Sequence, residues 1–445
     1  MVKVITYGTY DLFHYGHQRL LERAKALGDY LIVGVTSDSF DLTRGKINAQ
    51  QSLMERIESV RATGLADEII VEEYEGQKID DIKRYGVDIF TVGSDWIGHF
   101  DYLKEYCKVV YLDRTEGVSS SEIRAEKREL RIGLVGESIL LNKFERESHY
   151  VNGVQISGVC TQDSSILSEE VMNLPVVTNN LGELLDVSDA VYIVSHPSKH
   201  YEQIKAALLL DKHVLCESPV AINIEQFREL NGIANNRKLL LVDSLKTAYS
   251  TAFNRMLLLV KSGIIGEVKS VDATCTSLSD LERQSGLPTP NTWNSICAWG
   301  PTAMLPIFQL LGTDYKSKQI TSHLIAEQFD TFSKIAFVFP SAVASLKVGK
   351  GVKSEGELVI SGTKGYVYVP APWWKTDYFE VRYENPANNK RYFYQLDGEG
   401  IRYEIVSFLK CLKAGAIMSY VKTDVSENFV RIIEDFYNEV DMIRI

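Results

Sequence analysis

Short apolar runs separated by amphipathic stretches mark the chain from its second residue. Val2–Tyr7, Tyr30–Thr36, Glu68–Val71, Ile89–Gly93 and Val109–Leu112 read as buried strands. Between the first two, Leu20, Leu21, Ala24 and Leu27 recur at three- and four-residue spacing, which predicts a helix over Gln18–Leu27. Strands alternating with helices predict a parallel sheet covered on its faces. The polar stretch at 123–129 reads as a helix end running into a linker. At Leu130 the alternation restarts, with an apolar run ending in Gly136 and further strands at Val154–Cys160, Ala190–Ser195, His213–Glu217 and Leu239–Asp243. Beyond Lys246 the strands crowd together, at Val268–Thr276, Gln319–Ala326, Ile335–Phe339, Ala342–Lys347, Gly356–Ser361, Gly365–Val369 and Tyr378–Tyr383. That crowding predicts a mostly antiparallel sheet, flanked by helices at Ala252–Ser262, Thr302–Leu311 and Arg402–Ala414. The expected fold class is α/β throughout, in three domains: 1–126, 130–247 and 248–445.

Length agrees with that division, since 445 residues exceed what one core usually organises. A formal net charge of −11 argues against a general nucleic-acid or anionic-membrane binder. No apolar run approaches the roughly 18 residues of a membrane span, and with a strand opening at Val2 no signal peptide is expected. The six cysteines (Cys107, Cys160, Cys216, Cys275, Cys297 and Cys411) include no Cys-x-x-Cys pair. They are expected to be reduced thiols, and the expected location is the cytoplasm. Trp373-Trp374 reads as packing on a sheet face.

Candidate chemistry concentrates in Gly8-Thr9-Tyr10-Asp11-Leu12-Phe13-His14-Tyr15-Gly16-His17. Two histidines three apart fall at a strand-to-helix turn, where backbone N–H groups and the helix dipole attract anions. Imidazoles placed there suit phosphoryl or nucleotidyl transfer, whose charge they can stabilise as it builds.

The segment resembles the His-x-Gly-His signature of the nucleotidyltransferase superfamily, and the match runs over about 125 residues. It is nearest to the glycerol-3-phosphate cytidylyltransferases. Besides the histidine motif it comprises Arg44-Gly45-Lys46, Arg56, Asp67-Glu68, 77–82, Gly93-Ser94-Asp95-Trp96 and 114–121 in the same order. The resemblance implies a Rossmann-like first domain and assigns roles within it. His14, His17, Lys46 and Arg114 would be the catalytic set, with Arg114 gripping phosphate by a fork. Thr9, Tyr10, Asp11, Gly16, Asp38, Arg56, Gly93, Asp95, Trp96, Ser119, Ser120 and Ser121 would line the nucleotide and acceptor sites. Mg²⁺ is expected on the triphosphate, with Asp11 as a candidate protein ligand. Arg56 and Asp67 could instead pair across the surface. One departure stands out: Gly64 occupies a position where the family usually has arginine, while Arg61 lies nearby. The stretch between Lys46 and Arg56 is one residue longer.

From Leu130 the chain resembles, more faintly, the glucose–fructose oxidoreductase and inositol dehydrogenase family. Arg131–Gly136, 190–194, 212–219, 262–268 and 362–366 carry the likeness, which implies a Rossmann half followed by an open sheet. Its cofactor chemistry is degraded at four places. Ser138 and Leu141 stand where the second and third fingerprint glycines belong. Thr161 replaces the acidic residue that holds ribose, Ser218 replaces the lysine of Glu-Lys-Pro, and Ala298 and Thr302 replace the helix's acidic and histidine pair. NAD(P) is therefore not expected. His196 and His200 read as capping residues or as ligand contacts.

The sequence thus predicts a cytidylyltransferase joining CTP to a small polyol phosphate, glycerol 3-phosphate first among them. Its product would serve teichoic-acid-like or capsular polymer synthesis, and a homodimer or larger homo-oligomer is expected. The alternative is a bifunctional enzyme whose C-terminal part is an NAD(P)-dependent reductase supplying the polyol phosphate.

Overall fold

The structure is a computed structural model that describes residues 1–37, 51–74, 76–113, 130–278, 293–394, 396, 398–414 and 420–445. Two compact units emerge, one made of 1–129 with 149–154, the other of 130–148 with 155–445.

In the first unit β1 (Lys3–Gly8), β2 (Tyr30–Thr36), β3 (Glu68–Glu72), β4 (Ile89–Gly93) and β5 (Lys108–Leu112) form a parallel sheet of order β3-β2-β1-β4-β5. Successive side chains of a strand point to opposite faces, and both faces of β1 are apolar. Val4 packs with Leu31, Val33, Leu21 and Val60 on one side. Ile5 and Tyr7 pack with Ile32, Phe90, Ile82 and Leu103 on the other. The Tyr15–Lys25 and Leu53–Ala62 helices cover the first face and the Gln77–Tyr85 helix the second. The first helix begins three residues before the apolar periodicity suggests, because His14 itself supplies the N-cap.

The second unit contains β6 (Leu130–Val135), β7 (Val154–Cys160), β8 (Val176–Thr178), β9 (Ala190–Ile193), β10 (His213–Glu217) and β11 (Leu241–Ser244). They form a sheet of order β11-β10-β9-β6-β7-β8. A nine-stranded sheet follows, built from β12 (Val268–Thr276), β13 (Ser317–Ala326), β14 (Phe329–Val338), β15 (Val343–Gly349), β16 (Leu358–Gly362), β17 (Tyr366–Val369), β18 (Tyr378–Arg382), β19 (Lys390–Phe393) and β20 (Met442–Arg444). Its order is β19-β18-β17-β16-β12-β15-β14-β13-β20. The sheet is mixed: β12 runs parallel to β15, and β13 parallel to β20. The core helix Ser295–Leu311 starts seven residues before Thr302, where apolar periodicity alone puts its start, since Asn294 caps it and its first turn is buried from Ser295 to Cys297. Trp373 is buried, its indole N–H donating to Thr274 O at 3.1 Å. Trp374 stacks obliquely on Trp299 at 4.9 Å.

Candidate active site

Strand order reverses between β1 and β4, and in an open parallel sheet ligands bind beyond the strand ends at such a switch point. Thr6 pairs with Thr91, so Gly8 and Gly93 end the two strands side by side. Topology thereby brings the Thr9–His17 turn and the Gly93–Trp96 turn, far apart in sequence, to one crevice. Asp95 is exposed there, while Trp96 packs edge-on against His99 at 5.6 Å.

The turn after β1 is held by unusual backbone. Tyr10 and Leu12 lie at φ of 53° and 48°, a region that side chains other than glycine rarely adopt. The surroundings impose it. Tyr10 is buried and its ring folds back over Gly8, where an added Cβ would approach it to 3.1 Å. Asp11 Oδ1 accepts from Gln51 N at 3.0 Å, and Leu12 N donates to Gln51 Oε1 at 2.8 Å. Beneath them Arg56 is fully buried: its Nη1 donates to Thr9 O and Thr36 O, each at 2.8 Å, and its Nε to Gln51 O at 3.2 Å. Arg56 thus ties the ends of β1 and β2 to the start of the Leu53–Ala62 helix. Asp67 pairs with Lys25, not with Arg56, and accepts from Leu31 N at 2.6 Å. Those contacts hold its carboxyl below the usual range, the Leu31 amide first.

His14 caps the Tyr15–Lys25 helix, its Nδ1 accepting from Gly16 N at 3.0 Å. A ring nitrogen that accepts carries no proton, so in the neutral ring Nε2 bears the hydrogen. The cap therefore sets the tautomer, with Nε2 as the donor nitrogen of the ring. His17, one turn on, stacks on His14 with centroids 3.9 Å apart and planes 25° apart. Tyr10 and Phe13 each hold the His17 ring at 5.5 Å. The pair places two stacked imidazoles at a helix N-terminus.

A buried polar network lies under the neighbouring strand ends, without a role in the sequence reading. Lys78 pairs with Glu72, which accepts from Thr36 Oγ1 at 2.9 Å, and Tyr7 OH donates to Asp81 at 2.8 Å. Burial and Asp81 push the Tyr7 phenol upward, so it stays a donor. A lysine in the first turn of the Gln77–Tyr85 helix, six residues after a strand-end glutamate, was the available signal. Asp38, Lys46, Arg114, Ser119, Ser120 and Ser121 lie outside the described residues. Among the described residues no cluster of three histidines, cysteines or carboxylates could hold a metal. Asp11 is committed to Gln51, which suits a turn-holding role better than a metal ligand.

Comparison with known proteins fits this geometry. Residues 5–126 match the cytidylyltransferase-like family. Over 130 residues the chain is 51% identical to the glycerol-3-phosphate cytidylyltransferase of Bacillus spizizenii, covering 29% of this chain and 100% of that one. The chain belongs to the cytidylyltransferase-like family. Its first unit is accordingly a nucleotidyltransferase. A second glycerol-3-phosphate cytidylyltransferase, from Staphylococcus aureus, is 48% identical over 28% of this chain and 95% of its own.

Downstream of the cytidylyltransferase unit, residues 130–243 match an oxidoreductase family with an NAD-binding Rossmann fold. A 3-ketoreductase from Actinomadura kijaniata, solved with NADP and TDP-benzene, superposes with a TM-score of 0.60 at 17% identity over 72% of this chain and 100% of that one. UDP-N-acetylglucosamine 3-dehydrogenase from Acidithiobacillus ferrooxidans gives 0.57 at 16% identity, over 70% and 98%. These likenesses establish the fold.

The dinucleotide turn itself fits a cofactor poorly. Gly136 keeps its place at φ 130°, where a Cβ would strike the backbone of Val194 and Ser195. The next residue, Glu137, puts a carboxylate into the turn, 3.6 Å from Lys199 and itself almost wholly buried. Ser138 Oγ accepts from Leu140 N at 3.2 Å, and Leu141 is fully buried where a glycine would let helix and strand close up. Thr161 Oγ1 is engaged with Asp163 O at 3.0 Å. His196 caps the Pro197–Leu209 helix, and His200 is buried between Ser195 O and Pro219 O, each at 2.8 Å.

Proposed function

We propose that the first unit transfers the cytidylyl group of CTP to glycerol 3-phosphate or a similar small polyol phosphate. An acceptor phosphate oxygen attacks the α-phosphorus, the bond to the bridging oxygen breaks, and CDP-glycerol and pyrophosphate result. The observation that carries the reading is the His14–His17 pair, with Nε2–H of His14 fixed as a donor at a helix N-terminus. Such a donor stabilises negative charge on the α-phosphate without reorganising as the reaction proceeds. Lys46 and Arg114 would add positive charge and Ser119–Ser121 would bind terminal phosphates. Mg²⁺, held by the substrate's own oxygens, would neutralise the triphosphate. The product suits teichoic-acid-like or capsular polymer synthesis in the cytoplasm. Incubation with CTP, Mg²⁺ and glycerol 3-phosphate should release pyrophosphate, and silence across a panel of polyol and amino-alcohol phosphates would refute the assignment.

For the second unit the reading is a module without hydride chemistry. Glu137 supports it, since a carboxylate in the turn opposes the charge of a pyrophosphate. The competing bifunctional reading requires NADH or NADPH to bind, and a fluorescence titration decides between them.

A further inference from the structure

Two donors from distant parts of the chain grip the Asp11 carboxylate. Gln51 N donates to Oδ1 at 3.0 Å, and Asn152 Nδ2 donates to Oδ2 at 3.1 Å. Asp11 and Asn152 are both buried, and away from water a hydrogen bond to an ionised carboxylate strengthens. Asn152 lies in the 149–154 segment, which belongs to the first compact unit although the residues on either side belong to the second. The cytidylyltransferase-like match ends at residue 126, before this segment begins. The Bacillus spizizenii relative is matched over its whole length by 130 residues of this chain. The 149–154 segment is therefore something this chain adds to the unit.

The added contact falls on the turn that carries the histidines. Tyr10 and Leu12, on either side of Asp11, have φ of 53° and 48°. Such backbone persists only where its surroundings over-determine it. Gln51 supplies part of that constraint, since its Oε1 also accepts from Leu12 N at 2.8 Å. Asn152 adds to it at the second carboxylate oxygen. Its amide donates a hydrogen without bringing a charge beside a site for polyanions. Three residues on, His14 ends the turn and caps the Tyr15–Lys25 helix. Where Asp11 is held therefore sets where the His14 and His17 rings stand. A misplacement of about 1 Å can cost on the order of 10²-fold in rate.

We propose that Asn152 is a positioning residue for cytidylyl transfer, acting through Asp11 on the turn that carries His14 and His17. The proposal rests on the transfer reading given above. Full-length Asn152→Ala and Asn152→Leu test it, the second keeping the volume of the side chain while removing the donor. Losing a hydrogen bond to a charged group should lower kcat for pyrophosphate release about tenfold or more. KM for CTP and for glycerol 3-phosphate should stay close to the parent's, since Asn152 is assigned no substrate contact. Hydrogen exchange should quicken at 10–14 and 51–53 and stay at the parent's rate in β1–β5. Parental kcat in both variants, a raised KM without a fall in kcat, or unchanged exchange in those two segments would each overturn the proposal. Exchange quickened throughout β1–β5 would overturn it as well, by making Asn152 a general support of the fold. A parent that released no pyrophosphate would refute the transfer reading, and exchange at 10–14 would still decide whether Asn152 holds the turn.

Discussion

The two histidines illustrate how one residue carries structure and chemistry at once. His14 caps a helix through Nδ1 and presents Nε2–H through the same ring. Asn also caps through a side-chain oxygen, so His14→Asn should fold with near-normal stability yet lose turnover by about 10²-fold or more. His17→Ala should lose turnover on the same scale, and steady-state kinetics with thermal melts separate the two effects. Equal turnover in His14→Asn and the parent would show the ring to be a cap only. Arg56 makes the opposite case: no part of it is exposed, and it holds three backbone carbonyls. Arg56→Met would remove three hydrogen bonds, the one to the buried Thr36 carbonyl costing about 1–3 kcal/mol. It should lower the first unit's melting temperature along with its activity, whereas a role limited to substrate contact would leave melting unmoved.

Elements of the second unit carry buried carboxylates whose protonation is tied to folding. Asp243, near the end of β11, is pushed up to about 7 by burial, although Ser426 donates to it at 2.6 Å. Burial likewise raises Asp330 to about 6. A carboxyl raised in the folded state binds more protons there than in the unfolded chain. Its stabilising contribution is therefore complete below the unfolded value near 4 and is lost as pH rises through the folded one. Burial depresses His200 to about 4, which acts in the reverse sense between about 4 and 6.5. The difference between parent and Asp243→Asn isolates the first effect. Urea midpoints of the parent should fall relative to the variant as pH goes from about 4 to about 7, and parallel curves would exclude Asp243 as the source. The strands at this scale were readable from apolar runs, and β2, β4, β7, β10 and β12 begin and end where those runs do. Short β8, β19 and β20 were not, because three or four residues carry too little periodicity and are strands only through their neighbours.

For the whole molecule, the pairing of a cytidylyltransferase with an oxidoreductase fold raises the question of whether both are enzymes. Glu137, Leu141 and Thr161 each occupy ground a dinucleotide would use, so titration of the full chain with NADH and NADPH should show no binding. Micromolar affinity for either would restore the bifunctional reading. A symmetric dimer or tetramer is expected in solution, and light scattering at micromolar concentration that finds a monomer would refute it.

Local chemistry and periodicity were properties of the sequence by itself. The His-x-Gly-His turn, the alternation of strand and helix, and the missing glycines after Gly136 could all be read without coordinates, because each depends on residues close along the chain. Pairings between distant residues could not. That Gly8 and Gly93 end neighbouring strands, that Arg56 turns inward to Thr9 and Thr36 and leaves Asp67 to Lys25, and that Asn152 donates to Asp11 all follow from strand order and packing. Tertiary structure decided these, since a buried donor takes whichever acceptor the fold brings within about 3 Å.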